Sequence, residues 1–187
     1  MIYECLSCLA EEMNVYFKSR LKLHEDKVLI SAIVNQDGSI AIQGENKILI
    51  TLINVIRDVN MKKEMLSSAA ISGNAARPVC LQLYVMVSCY FSAGNYAEAL
   101  RFLSFAISFL QQKNVFDHNN TPKLDEAIDK LVFELESFEP ERQSNIWSTL
   151  GAKYMPSVFY KVRMIIYNSD QVKEYRPLVS GISADNR

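Results

Sequence analysis

Cys5 and Cys8 come closest to a chemical motif in this chain of 187 residues, because two thiolates at that spacing can grip one metal ion or cycle as a dithiol. A tetrahedral site would also need Cys80 and Cys89. Those two lie an odd number of residues apart on what reads as one strand, so their side chains leave it on opposite faces. All four cysteines therefore read as small buried hydrophobes in a reducing compartment. The two histidines, His24 and His118, sit in polar, loop-like surroundings far in sequence from any nucleophile. The sequence carries no nucleophile elbow, glycine-rich phosphate cradle or metal-binding helix motif. It assigns no catalytic, cofactor-binding or metal-binding residue, and no enzyme is expected.

Lys and Arg number 20 against 21 Asp and Glu, a net charge of −1, so no long-range field draws nucleic acid or an anionic membrane. No window approaches the roughly 20 apolar residues that span a bilayer. The start, Met1 to Cys5, lacks the basic and apolar pattern of a signal peptide, which points to a cytoplasmic chain. Asn119, Asn120 and Thr121 match a glycosylation acceptor, but Pro122 follows and the stretch reads as a turn. Asp129, Glu134, Glu136, Glu139 and Glu141 read as a solvated acidic face.

The length suits one domain over 1–168 that removes roughly 70% of its unfolded surface from water. Ile2, Leu6, Leu9, Met13, Tyr16, Phe17 and Leu21 recur at helical spacing, giving an amphipathic helix from Ile2 to about Leu21. Segments 28–34 and 39–43 are β-rich around Asp37-Gly38, a hairpin signal. Segment 47–58 fits a buried strand or a buried helix, and its β-branching favours strand. Polar residues over 60–76 suit a mobile surface excursion. Pro78 opens a strand over 77–91, expected at the centre of the sheet. Asn95 then offers a cap for a helix over 96–113 whose apolar residues cover it nearly all round. The start of that helix, Gly94 to Leu100, is similar to part of a tetratricopeptide repeat. A stand-alone helical interaction module is thus the alternative reading, although neither flank repeats the pattern. Residues 114–122 read as a turn-rich connection. Leu131, Phe133 and Leu135 alternate with Glu134 and Glu136 as a strand, while 124–130 fits a short helix or a continuation of the turn-rich connection.

The densest pattern runs from Pro140 to Tyr167. Pro140 opens a helix on which Ile146, Trp147 and Leu150 share one side, Gly151 closes it, and Pro156 forces the chain out extended. In the strand that follows, Val158, Tyr160, Val162, Met164 and Ile166 share one face. Ser157, Phe159, Lys161, Arg163, Ile165 and Tyr167 share the other. Trp147 reads as a core anchor, Tyr160 as an inward tyrosine with a bonded hydroxyl, and Arg163 as a cation seeking a carboxylate.

The pattern Trp147-Ser148-x-Leu150-Gly151, a four-residue spacer, then Pro156-Ser157-x-x-Tyr160-x-Val162-Arg163 resembles the domain of tail-terminator, or cap, proteins. Those proteins belong to phage-tail-like contractile injection systems of the antifeeding-prophage and Photorhabdus-virulence-cassette type. The first helix, the 47–58 strand and the 77–91 strand with its helix extend the resemblance along most of the chain. It implies an α+β fold: an antiparallel or mixed sheet of about four to six strands packed with two main helices. It also implies a self-assembling ring, a hexamer, that caps tube and sheath at the end distal to the baseplate. The partners would be other copies of the chain, the sheath protein and the inner-tube protein. Residues 169–187 are polar with Pro177 and Gly181 and read as an arm or flexible tail. Arg163, Tyr175, Arg176, Pro177, Leu178 and Val179 are the expected partner contacts, the tail residues by adding an extended segment to a sheet edge.

Overall fold

The computed structural model describes residues 1–42, 44–58 and 79–166. The excursion at 60–76, Pro78 and the tail residues Tyr175, Arg176, Pro177, Leu178 and Val179 lie outside the described residues. Alternation of apolar residues builds a sheet of six strands, β1 (Val28–Ile30), β2 (Lys47–Arg57), β3 (Val79–Tyr90), β4 (Val115–Asp117), β5 (Ile128–Glu136) and β6 (Ser157–Ile166). Their order is β1-β2-β3-β6-β5-β4, so β3 and β6, far apart in sequence, form the centre. β1 runs parallel to β2 and every other pairing is antiparallel, which makes the sheet mixed.

Among the described residues three α-helices cover this sheet: α1 (Ile2–Leu21), α2 (Tyr96–Gln112) and α3 (Pro140–Leu150). α1 and α2 pack on one face, where Phe17, Phe102, Phe109 and Phe116 join Leu83, Val85, Val87, Tyr160, Val162 and Met164 in the main core. Edge-to-face contacts between Phe17 and Phe102 and between Phe116 and Phe133 fill it with rings. Lys113 at the end of α2 holds Glu12 of α1 at 2.8 Å, tying the two helices together. α3 lies on the opposite face with Trp147, Ile33, Leu49, Met86 and Phe159 in a second, smaller core. The fold is α+β, and the helix expected from Pro140 joins the two main ones.

Several expectations are corrected. The hairpin around Asp37-Gly38 shrinks to its turn: Gly38 takes φ of +82°, Asp37 accepts from the Ser39 amide, and one bridge, Val34 to Ile40, closes it. The preceding segment is drawn away because β1 pairs with β2, the Ile48 N–H donating to the Lys27 carbonyl at 2.7 Å. Asn14 completes that junction from α1. Its Oδ1 accepts the Lys27 and Val28 amides, and its Nδ2 donates to the Val28 carbonyl.

Asn95 stands at the cap position of α2, but its side chain makes no cap bond and reaches Asn46 Oδ1 at 3.3 Å. α2 itself is buried along one side, with Leu100 42% exposed on the other. No helix forms over 124–130; Leu124 and Ile128 close turns onto Thr121 and Asp125 and the chain enters β5 directly. The turn-rich connection hides strand β4. Packing of α2 on a six-stranded sheet also removes the stand-alone helical module, since such a unit has no sheet to cover.

Candidate functional site

The segment from Pro140 to Ile166 positions the residues singled out by the sequence. Glu139 precedes Pro140, whose missing N–H costs nothing at the first turn, and the Glu139 carbonyl accepts the Gln143 amide. Gly151 ends the helix with φ of +65°, its N–H donating to Ser148 while Ala152 donates to the Trp147 carbonyl. A Cβ here would touch only Val34 at 3.9 Å, so the dihedral rather than crowding selects glycine. Pro156 then offers its carbonyl to the Cys89 amide at 2.9 Å and begins the pairing of β6 with β3.

Trp147 is 5% exposed, and its ring meets Tyr154 edge-on at 5.8 Å. Leu150 packs against the same cluster. Ser157 lies directly opposite Ser88 on β3, and Val162 pairs with Leu83 on one side and Phe133 on the other.

Tyr160 points into the main core and is 3% exposed, but its hydroxyl has no hydrogen-bond partner among the described residues, against expectation. Burial pushes its pKa up to about 12. It forms part of the wall of a pocket of about 270 Å³, along with Ile107, Leu110, Asn114, Phe133 and Leu135. Leu135 stands 53% exposed at the pocket rim, where the Phe133 amide makes the last bond of the β5 edge, to the Asn114 carbonyl. Gln111, Asn114 and Glu134 line the same pocket beside its apolar residues, so the wall is mixed, with an outward leucine at its rim.

On the other face, Arg163 finds its carboxylate within the chain. Its Nη2 lies 3.2 Å from Glu134 Oε1 and 3.5 Å from Oε2. Lys161 shares Glu134 at 2.8 Å and approaches Glu136 at 4.0 Å. The β5–β6 register sets Glu134 opposite Lys161 and places Arg163 diagonal to it. The hydrogen bond to Glu134 raises the Lys161 pKa, more than burial opposes it. Two carboxylates and two cations therefore compensate one another here, so Glu134 and Glu136, two of the five residues of the expected acidic face, are paired within the chain.

The cysteine motif lies inside the main core on α1. Burial above all drives the Cys5 thiol up to about 12 and Cys8 to about 11, and burial alone drives Cys89 to about 12, so thiolates are suppressed. His24 and His118 are exposed in loops. No group of three His, Cys, Asp or Glu among the described residues is placed to hold a metal ion. No described helix is long and apolar enough to cross a membrane.

Comparison with known proteins places this geometry. A family model described as the Pvc16 N-terminal domain matches residues 6–181. A structure of the PVC sheath/tube terminator in the extended state, from an extracellular contractile injection system, has a TM-score of 0.65 at 12% identity. The match covers 100% of this chain and 64% of that one. The anti-feeding prophage cap, a tube-terminating cap, has a TM-score of 0.58 at 14% identity over 94% of this chain and 59% of its own. The chain thus spans under two thirds of the length of either solved protein. No curated protein matches it.

Proposed function

The chain belongs to the Pvc16 N-terminal domain family, and from that membership we propose that it caps and terminates the tube and sheath of a contractile injection system. The observation that carries this reading is the fold shared from end to end with a sheath/tube terminator, at 100% coverage of this chain. The mechanism is one of surfaces. A ring of copies presents one face that fits the last layer of tube or sheath subunits, while its other face offers no site for a further layer, so growth stops. Head-to-tail contacts between copies close when the rotation per subunit divides a full turn, and a hexamer is the ring proposed here.

The finer elements of the proposal rest on the residues. Arg163, already half-turned toward solvent and sharing Glu134 with Lys161, is the charged contact offered to a neighbour. Residues 175–179 extend that contact by adding a strand to an open sheet edge. The protein acts without catalysis, assembles in the cytoplasm, and becomes part of a phage-tail-like particle at the end distal to the baseplate.

Particles purified from cells with and without the gene, and imaged by electron microscopy, test the reading. With the protein, tubes and sheaths have uniform length and ring density at one end, and the purified chain sediments as a closed oligomer. Uniform, normally ended particles in its absence would overturn the proposal. Deleting 169–187 is expected to weaken sheath association; unchanged association removes the tail from the interface.

A further inference from the structure

An open sheet edge is a row of unpaired N–H and C=O groups that invites another chain to add on, and folded proteins guard against this. Most of the edge here is guarded. β1 and β4, the outermost strands, have three residues each. β2 extends beyond β1, which accompanies only Ile48 to Ile50, but a bulge between Leu52 and Asn54 breaks its register and Asn54 Oδ1 accepts the Val55 amide at 2.8 Å.

The end of β5 has no such guard. β4 accompanies it from Lys130 to Val132, the Phe133 amide bonds the Asn114 carbonyl, and strand alternation turns the Leu135 N–H and C=O to the same open side. The bond from the Cys89 amide to the Pro156 carbonyl agrees, because it turns Tyr160, which stands opposite Leu135, toward β3 and away from β5. Neither Leu135 group bonds a described residue, and Leu135 is 53% exposed. On the face to which its side chain points lies the pocket of about 270 Å³, with Ile107 and Leu110 of α2, Phe133 and Tyr160 in its wall. A residue paired with Leu135 would set its own side chain over that pocket.

Proline and reach select the occupant. Pro177 has no N–H, so on an added strand its nitrogen faces solvent, and Arg176 and Leu178 beside it turn their N–H and C=O to the receiving edge. Of these two only Leu178 is apolar. Ile166, where β6 ends, stands opposite Ile128, at the far end of β5 from Leu135. The same chain's tail would have to pass around β4 and climb back, roughly 30 Å, which leaves 167–177 almost no slack. A neighbour's tail meets no such limit.

We propose that the β5 edge at Leu135 receives residues 175–179 of a second copy of this chain as an added strand, with Leu178 paired to Leu135 and its side chain in the pocket. The inference rests on the tail contact proposed above and names its receiving edge, donor and register.

Sedimentation of the full chain and two variants tests it. Leu135→Pro removes an N–H that no described group uses and so blocks strand addition, while Leu178→Asp carries a charge into the pocket. The unaltered protein is expected to associate, and each variant to need a concentration at least about tenfold higher. In an equal mixture the intact tail of the first variant meets the intact edge of the second, and pairs form again. A monomeric unaltered protein, variants that associate like it, or a mixture that stays monomeric overturns the proposal. Leu135→Asp, at the same exposed position, repeats the test through the pocket if the proline lowers the melting temperature. If deletion of 169–187 dissociates the copies but neither Leu135 variant does, the tail contact stands and this edge falls. If the deletion leaves association unchanged, both fall.

Discussion

At the scale of single residues, the charged quartet on β5 and β6 gives a signed pH dependence. Lys161 has its pKa raised above the ordinary lysine value of 10.5, chiefly by the hydrogen bond to Glu134. A group raised on folding adds stability that is fully present below its unfolded value and fades as pH climbs through the folded one. Denaturant midpoints measured across the alkaline range should therefore drop above about pH 10.5, and Glu134→Gln should blunt that part of the drop. Arg163 illustrates how far sequence reaches. Its need for a carboxylate could be read from an arginine on a mostly apolar strand, but Glu134 follows only from a strand register across 29 positions. Tyr160 shows the reverse: its inward direction follows from alternation, while its unbonded hydroxyl is a matter of what packs around it. Tyr160→Phe should accordingly leave thermal stability unchanged or slightly higher, since it deletes a buried group with no described partner. A clear loss of stability would reveal a hidden bond.

Among the elements, strong internal periodicity makes an element legible in the sequence. α1, β3, α3 and β6 each carry a repeating apolar pattern, with a recognisable stop such as Gly151, whereas β2 is told from a helix only by its β-branching. β1 and β4 are not legible, because three-residue strands have too few positions for a period and owe their existence to the neighbours they pair with. The hairpin expected around Asp37-Gly38 fails for the same cause: its turn forms as local chemistry dictates, but pairing with β2 takes the strand beside it. Asn14 shows what a helix-face pattern hides, a polar position that serves as anchor for β1. Asn14→Ala should cost about 1–3 kcal/mol by leaving strand amides unsatisfied, and chemical denaturation reads this directly. Gly151→Ala should cost about 1–2 kcal/mol through its left-handed dihedral, with α3 the element that frays first in hydrogen exchange.

For the whole molecule, two cores on opposite sides of one sheet mean that α1 and α3 never need to touch for the fold to hold. The main core buries Cys5 on α1 and Cys89 on β3 together, so in pulse labelling with a thiol reagent at neutral pH both should react at one shared rate, that of global opening. Separate rates would show that α1 detaches by itself. The sheet order carries one more implication, for the moment of birth. Pairing of β3 with β6 joins residues 79–90 to residues 157–166, so a ribosome must translate for several seconds after finishing the first before the second emerges. Until then β3 has only β2 beside it, and a nascent chain cut short anywhere in that interval lacks its central pairing and belongs to chaperones or proteases.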